Sequence, residues 1–281
     1  MIFKQFTHLK NLYNPIFLLL VLSAALISIQ LHLAWKYENQ SLFGTSSLFW
    51  GVLSFRLWER RQQLHFHSDF VSTICGVIII LFTLMKVDSM HGFGGVYFIY
   101  LLPVVFGFAI ALLASGAKFL KHYQWELLTL FFIAVPEILP PSLVDISPLT
   151  AKFSALLLWY LGFDVVRSGV NLFLPGGSIE VYSGCSGLEL IFQLLGLAVV
   201  FLLMFPHPRS QKLILPMVAI IIGFVVNGFR VALMLFLVAN QDKNAFEYWH
   251  IGTGSLAFSL LAVIIFACWC WRIVGQQKNL N

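Results

Sequence analysis

The stretch Pro175-Gly-Gly-Ser-Ile-Glu-Val-Tyr-Ser-Gly-Cys-Ser-Gly-Leu-Glu-Leu-Ile-Phe-Gln-Leu-Leu195 passes directly from a polar, glycine-rich segment into an apolar helix. Gly184 and Gly187 permit a tight turn and keep bulk away from the thiol of Cys185. Because this cysteine would lie beside a helix N-terminus, the partial positive charge there favours the thiolate, which is the nucleophilic form. The stretch therefore predicts a reactive cysteine, although an arbitrary cysteine is more often a small buried packing residue.

The composition around this stretch is that of a membrane protein. Of the 281 residues, 59% are hydrophobic and 10% are charged, whereas soluble domains carry about 25% charged residues. Long uncharged apolar runs predict transmembrane helices rather than a barrel, whose strands would alternate. We therefore expect an all-α polytopic membrane protein in a lipid bilayer. It forms one domain over residues 1–281, with its distinctive motifs at residues 174–254.

Apolar runs on both sides of the stretch predict about eight transmembrane helices and one short interfacial helix. The runs are residues 16–35, 42–57, 70–87, 96–114, 125–144, 188–205, 213–238 and 251–271. Residues 149–163 are apolar as well, but they fall short of the ~17 residues needed to cross a bilayer. Lys152, Trp159 and Tyr160 in this run suit a helix that lies at the membrane surface.

The basic residues orient the predicted spans. With the N-terminus in the cytoplasm, eleven of the 17 Lys and Arg residues fall on the cytoplasmic side, in accord with the positive-inside rule. They are Lys4, Lys10, Arg56, Arg60, Arg61, Lys118, Lys121, Arg209, Lys212, Arg272 and Lys278. The net charge of +5 thus reflects membrane topology and not nucleic-acid binding. We expect a multi-pass protein of the plasma (inner) membrane with both termini in the cytoplasm.

Three reactive side chains then meet on the outer side, each from a different helix. Cys185 lies at the outer end of the sixth span, Arg230 in the outer half of the seventh, and His250 at the start of the eighth. An arginine between apolar residues almost always faces a bundle interior or a cavity, although near a helix end it could also reach the headgroups. Imidazole takes or gives a proton near neutral pH.

Two neighbouring polar residues are secondary candidates for substrate binding. Asn227, at i−3 from Arg230, would share its helical face and could orient it. Glu189, four residues after Cys185, would lie on the face of the thiol, where it could bind a positive group of a substrate or only cap the helix. The four cysteines show neither metal-ligand spacing nor an obvious disulfide framework, and we expect no metal and no cofactor.

A thiol, an imidazole and a guanidinium together fit acyl transfer. His250 would help to form the Cys185 thiolate and later protonate the leaving amine, while Arg230 would stabilise the tetrahedral oxyanion. Water or an amine would then release the acyl group. Three alternatives stay open: a transporter in which Arg230 binds an anion at a broken helix, a non-catalytic assembly subunit, and a serine peptidase that uses Ser186.

These residues resemble the exosortase/archaeosortase family. The resemblance lies in the Cys-Ser-Gly at a span start, the Asn-x-x-Arg in the next span and the histidine at the head of the last span. It is clearest from Leu174 to Gly254, and the Leu174-Pro-Gly-Gly-Ser lead-in is similar to that of the cyanobacterial branch, the cyanoexosortases. The resemblance implies Cys185, Arg230 and His250 as the catalytic residues.

The resemblance also implies a function. It is that of membrane cysteine peptidases that act as transpeptidases on secreted proteins with a C-terminal PEP-CTERM-type signal. Such a signal comprises a Pro-Glu-Pro-like motif, a transmembrane helix and a basic tail. The family allows arginine or histidine at the third catalytic position, and the histidine found here replaces a permanent cation with a titratable group. Any likeness to soluble sortases would be convergent, because the architecture expected here is helical and membrane-embedded.

Overall fold

The computed structural model describes residues 15–37, 39–88, 93–138, 144–205, 209–250 and 253–278. This part of the chain forms ten α-helices and a three-stranded antiparallel sheet. The helices are α1 (Pro15–Lys36), α2 (Gln40–Glu59), α3 (Phe70–Asp88), α4 (Phe93–Ser115), α5 (Gln124–Ile138), α6 (Ser147–Tyr160), α7 (Leu188–Met204), α8 (Arg209–Ala239), α9 (Lys243–His250) and α10 (Thr253–Lys278). The strands are β1 (Val166–Ser168), β2 (Asn171–Leu174) and β3 (Gly177–Glu180), and short 3-10 turns occur at Arg61–Gln63, Ala117–Tyr123 and Ser183–Cys185.

The helical, multi-pass fold class expected from the sequence is confirmed. Within the described ranges, five helices are long and apolar enough to cross a membrane, namely α1, α3, α4, α8 and α10. Helix α7 is apolar but has only 17 residues, which is the lower limit for a span. The total of about eight spans and the orientation of the termini stay predictions.

Helix boundaries agree closely with the apolar runs, with two qualifications. Helix α6 has 14 residues, and at 1.5 Å per residue its length is about 21 Å, shorter than a hydrocarbon core of about 30 Å. Its Trp159 and Tyr160 are exposed, and the interfacial placement of α6 stays a prediction. The fifth predicted span extends to residue 144, whereas α5 ends at Ile138 and residues 139–143 lie outside the described ranges.

The chain forms two compact units, Met1–Ala134 and Val135–Asn281; the single domain expected from the sequence stays a prediction. In the first unit, the buried carboxylate of Glu126 pairs with Arg56 (Nε–Oε1 3.4 Å) and Arg60 (Nη2–Oε1 3.0 Å). Two of the basic residues that orient the spans therefore have an acidic partner within this unit.

In the second unit, α7, α8 and α10 pack against one another through a core that includes Leu194, Ala198, Ala219 and Ala262. Alanines in these contacts allow helix axes to approach closely, which is how apolar helices associate when lipid is their solvent. This packing brings the start of α7 beside the second half of α8.

The sheet was not expected, because the sequence indicates only a polar, glycine-rich segment ahead of α7. Pro175 and Gly176 form the turn between β2 and β3, and Gly176 has a φ of +102°, which suits the third position of a type II turn. One face of the sheet packs Leu172 and Val181 against α8. The sheet is thereby fixed to the same helix that carries Arg230.

Candidate active site

Cys185 ends a 3-10 turn that leads into α7. Gly187 caps the helix with a φ of +93°, a conformation that favours glycine. A Cβ at this position would also lie 2.6 Å from the side-chain nitrogen of Asn227. The tight approach of the turn to α8 therefore requires glycine at position 187, and α7 starts at Leu188 as predicted.

Side chains from two other helices hold the main chain of this turn. Asn227 is 2% exposed and its Nδ2 donates to the carbonyl oxygen of Cys185 at 2.9 Å. Thr150 of α6 donates through Oγ1 to the carbonyl oxygen of Ser186 at 2.7 Å. The contact of Asn227 is thus with the backbone of the cysteine, and this amide positions the turn.

His250 is the last residue of α9, and its ring reaches the thiol. Nε2 lies 3.4 Å from Sγ of Cys185, and the ring stacks on Phe246 with centroids 4.9 Å apart. Burial and the nearby positive charge of Arg230 lower the pKa of His250 below its usual value. The imidazole is therefore neutral near pH 7 and able to accept a proton from the thiol.

Arg230 lies on α8 and faces the same place. It is half-buried, and its Nη2 donates to the main-chain oxygen of His250 at 2.8 Å. Its Nε is buried and has no hydrogen-bond partner among the described residues. A buried guanidinium donor without a partner is costly, and Arg230 also lines a cavity.

A small cavity joins the three side chains. Cys185, Arg230 and His250 line it together with residues 179–181 of the β3 segment. Its remaining walls are apolar side chains of α8 and α9, Val231, Met234 and Phe246. Apart from the three candidate side chains and Glu180, the lining is apolar, which strengthens electrostatic interactions inside the cavity.

Tyr182 is a site residue that the sequence did not single out. Its hydroxyl is hydrogen-bonded to the side chain of Cys185, and this bond together with burial raises the pKa of Tyr182 to about 12. The phenol therefore stays protonated at neutral pH and can donate to the sulfur. Its ring lies against Gly184, where a Cβ would be 2.7 Å from the ring. The sequence signal that could have identified Tyr182 is its position three residues before Cys185 with a glycine between them.

Two sequence candidates lie outside this arrangement. Ser186 is 2% exposed and its hydroxyl donates to the main-chain oxygen of Ser183 at 2.6 Å, which argues against Ser186 as a nucleophile. Glu189 is in the first turn of α7 and is not among the residues that line the cavity in the described part of the chain. Across the described ranges, no group of three or more His, Cys, Asp or Glu side chains is placed to hold a metal ion.

The family follows from comparison with known proteins. The family model described as transmembrane exosortase matches residues 35–267. The chain belongs to this family. Among the relatives of this exosortase is the protein described as probable archaeosortase E of Methanocaldococcus jannaschii, which is 27% identical over 94 residues.

That alignment covers 34% of the exosortase chain and 48% of the archaeal protein, so the chain spans about half the length of the curated relative it matches. No solved structure matches the chain. The assignment to the cyanobacterial branch of the exosortases stays a prediction.

Proposed function

We propose that this exosortase is a membrane-embedded cysteine peptidase or transpeptidase that cleaves C-terminal sorting signals of secreted proteins through an acyl-enzyme. The observation that carries the proposal is the 3.4 Å contact between Sγ of Cys185 and Nε2 of His250. Both side chains line a cavity that also receives the guanidinium of Arg230. A nucleophile, a base and a fixed cation in one apolar cavity are the parts that acyl transfer from a peptide needs.

In the acylation step, Nε2 of His250 takes the thiol proton as Sγ of Cys185 attacks the carbonyl carbon of the scissile peptide bond. The carbonyl π electrons move to oxygen, and the resulting oxyanion is stabilised by Arg230, whose Nε is an unsatisfied donor among the described residues. Collapse of the tetrahedral intermediate expels the amine, which takes the proton from the imidazolium of His250. A thioester on Cys185 and a free amine result.

In the second step, water or an amine gives a proton to His250 and attacks the thioester carbonyl. Arg230 again stabilises the oxyanion, and the sulfur leaves as a thiolate that recovers the proton from His250. Attack by water gives hydrolysis, and attack by an amine gives transpeptidation. Both steps use only side chains of this chain.

The proposed substrates are secreted proteins that end in a Pro-Glu-Pro-like motif, a transmembrane helix and a basic tail. The support for this class is membership of the exosortase family and the similarity to a probable archaeosortase. The signal's helix would lie in the bilayer beside the enzyme, with its polar motif at the outer face of the inner membrane.

The test is co-expression with a reporter that carries such a signal, followed by mass measurement of the reporter. The native enzyme should remove the tail, and Cys185→Ala or Cys185→Ser should leave the reporter intact while the protein still inserts. Added mass on the product would identify transfer rather than hydrolysis. Cys268→Ala is the matched control, because that cysteine is exposed on α10.

Tail removal by Cys185→Ala at the native rate would refute the peptidase. If neither enzyme form alters the reporter, alkylation kinetics with iodoacetamide decide the matter. A thiol at Cys185 that reacts no faster than free cysteine at the same pH would favour the alternative of a transporter or an assembly subunit.

A further inference from the structure

Strand β3 leads directly to the nucleophile and forms one edge of the sheet. The strand order is β1-β2-β3, so β2 occupies one side of β3, and within the described ranges no strand pairs with the other side. Four residues separate the end of β3 at Glu180 from Cys185. Edge strands present unpaired N–H and C=O groups, which makes them templates for another extended chain.

The hydrogen-bonding register identifies which groups of β3 are unpaired. The amide of Val181 donates to the carbonyl oxygen of Val170 at 3.0 Å, and antiparallel pairs alternate between bonded and non-bonded. By that alternation Ile179 bonds to Leu172 of β2. The backbone groups of Ser178 and Glu180 therefore point away from β2, and both residues are exposed.

The cavity at the candidate active site lies on this free edge. Three consecutive residues, 179–181, line it, although successive side chains of a strand point to opposite faces of the sheet. Because consecutive residues line it, the cavity reaches the edge of the strand end as well as the inner face of the sheet that packs on α8. Since β2 occupies the other side, the cavity is continuous with the unpaired edge.

On the basis of the function proposed above, we propose that the extended part of the sorting signal pairs with β3 as a fourth strand, which delivers its scissile carbonyl to Cys185. The occupant is a stretch of peptide backbone in β conformation, held by the N–H and C=O groups of Ser178 and Glu180. Such pairing gives affinity through main-chain bonds, while alternate side chains give specificity. Continuity of the edge with the cavity supports this occupant over a free small molecule.

The test removes one edge donor by proline substitution. Ser178→Pro deletes an N–H that points away from β2, so the β2–β3 hairpin keeps its bonds, and edge strands tolerate proline at such positions. Tail removal from the reporter should slow about tenfold because one main-chain hydrogen bond is lost. Iodoacetamide should still alkylate Cys185 at the native rate, since this small reagent needs no strand.

Arg167→Pro is the matched control on the opposite edge of the same sheet. Because Leu172 bonds to β3, its pairing with Arg167 is of the non-bonded kind, and the backbone N–H of Arg167 points outward from β1. This variant should process the reporter within about twofold of the native rate. Equal rates for Ser178→Pro and Arg167→Pro would overturn the proposal, whereas processing that survives Cys185→Ala would refute the peptidase itself.

A cross-linking experiment covers the case in which Ser178→Pro misfolds. The enzyme carries Ser178→Cys together with Cys185→Ala, and each reporter carries a single cysteine at one of several successive positions of the signal. Oxidation then forms a disulfide wherever the two cysteines are adjacent. The Cys185→Ala enzyme without Ser178→Cys gives the baseline. A fourth strand should cross-link at every second position, since alternate side chains share a face. Cross-linking at consecutive positions, or at none, would overturn the proposal.

Discussion

The sulfur of Cys185 is surrounded by polar groups from separate segments of the second unit. The imidazole of His250 and the hydroxyl of Tyr182 contact the side chain, and the amide of Asn227 holds the carbonyl. In the proposed mechanism the imidazole accepts the thiol proton and the phenol donates to the sulfur, while the amide fixes the main chain. We therefore expect the reactivity of the thiol at neutral pH to depend on these side chains as well as on the helix start.

Removing the phenol hydroxyl should weaken the nucleophile. In Tyr182→Phe the thiolate of Cys185 loses a hydrogen-bond donor, so alkylation by iodoacetamide at pH 7 should slow about fivefold. Tyr160→Phe is the control, because that ring is 74% exposed at the end of α6. An unchanged alkylation rate in Tyr182→Phe would mean that the hydroxyl does not stabilise the thiolate.

Under the proposed function, the lowered pKa of His250 should set the acid limit of activity. Burial and the charge of Arg230 keep the ring neutral to a lower pH than the usual 6.5. As the pH falls through this lowered pKa, the ring becomes protonated and no longer accepts the thiol proton. On the acid side, the pH at which the purified enzyme cleaves the reporter at half its maximal rate should therefore lie below 6.5. A half-maximal rate at pH 6.5 or above would contradict the assignment of this loss to His250.

The three residues that line the cavity of the candidate site together could be singled out from the sequence because each is unusual where it stands. Arg230 is a charge inside an apolar run, Cys185 lies beside glycines, and His250 directly precedes an apolar run. The cost of placing such groups in or near a bilayer singles them out. The contacts of Tyr182 and Asn227 with Cys185 could not be predicted in this way, because a tyrosine or an amide near a membrane interface is common. Asn227 is distant from Cys185 in sequence, and the contact of Tyr182 depends on the conformation of the turn.

At the scale of elements, the start of α7 depends on a backbone conformation and on space together. Gly187 has a positive φ and is in close approach to Asn227, whereas Gly162 has a similar φ of +88° and nothing within 4 Å of its Cβ position. Substitution at Gly162 therefore measures the free-energy cost of the positive φ alone, and substitution at Gly187 measures that cost together with the cost of the close contact.

Alanine substitution should destabilise the two positions unequally. Gly162→Ala should cost about 1 kcal/mol from the left-handed backbone alone, and Gly187→Ala should add about 1–3 kcal/mol because Asn227 must move. Thermal unfolding in detergent measures both, and reporter cleavage should fall only in Gly187→Ala. Equal decreases in the two unfolding temperatures would show that Asn227 of α8 moves away from the added Cβ without loss of stability.

The sheet and α9 are the elements that hydropathy did not predict. Both are short and polar, so neither produces an apolar run. The sheet did leave a signal in alternating residues beside Gly169 and in Pro175-Gly176, which are hairpin features. In a chain dominated by membrane spans, these local patterns indicate no more than a loop. The long helices were predicted well because the bilayer imposes a length on them.

At the scale of the whole molecule, the orientation of the spans is the prediction with the widest consequences. The count of basic residues puts the loop at residues 61–63 in the cytoplasm and the end of α8 on the outer face. That arrangement requires that α6 does not cross the bilayer, in agreement with its length of 14 residues.

Labelling with a membrane-impermeant maleimide tests this arrangement. In a chain without native cysteines, Asp242→Cys should react in intact cells, and Gln62→Cys should react only after permeabilisation; both native side chains are exposed. The two sites are expected on opposite sides because the positive-inside rule orients the spans. Labelling of both sites on one side would show that the number of spans between them is wrong, and residues 149–163 would then be the first candidate for an additional span.

The hydrogen bond that fixes Arg230 ends on the main chain of residue 250 and not on its imidazole. Exchanging the side chain at that position consequently leaves the anchor of the guanidinium in place. In the proposed mechanism, residue 250 serves acid–base chemistry with its side chain and charge stabilisation with its peptide group, so the two roles can diverge independently during evolution. On that mechanism, a lineage could replace the histidine by a permanent cation and keep the main-chain anchor of the guanidinium.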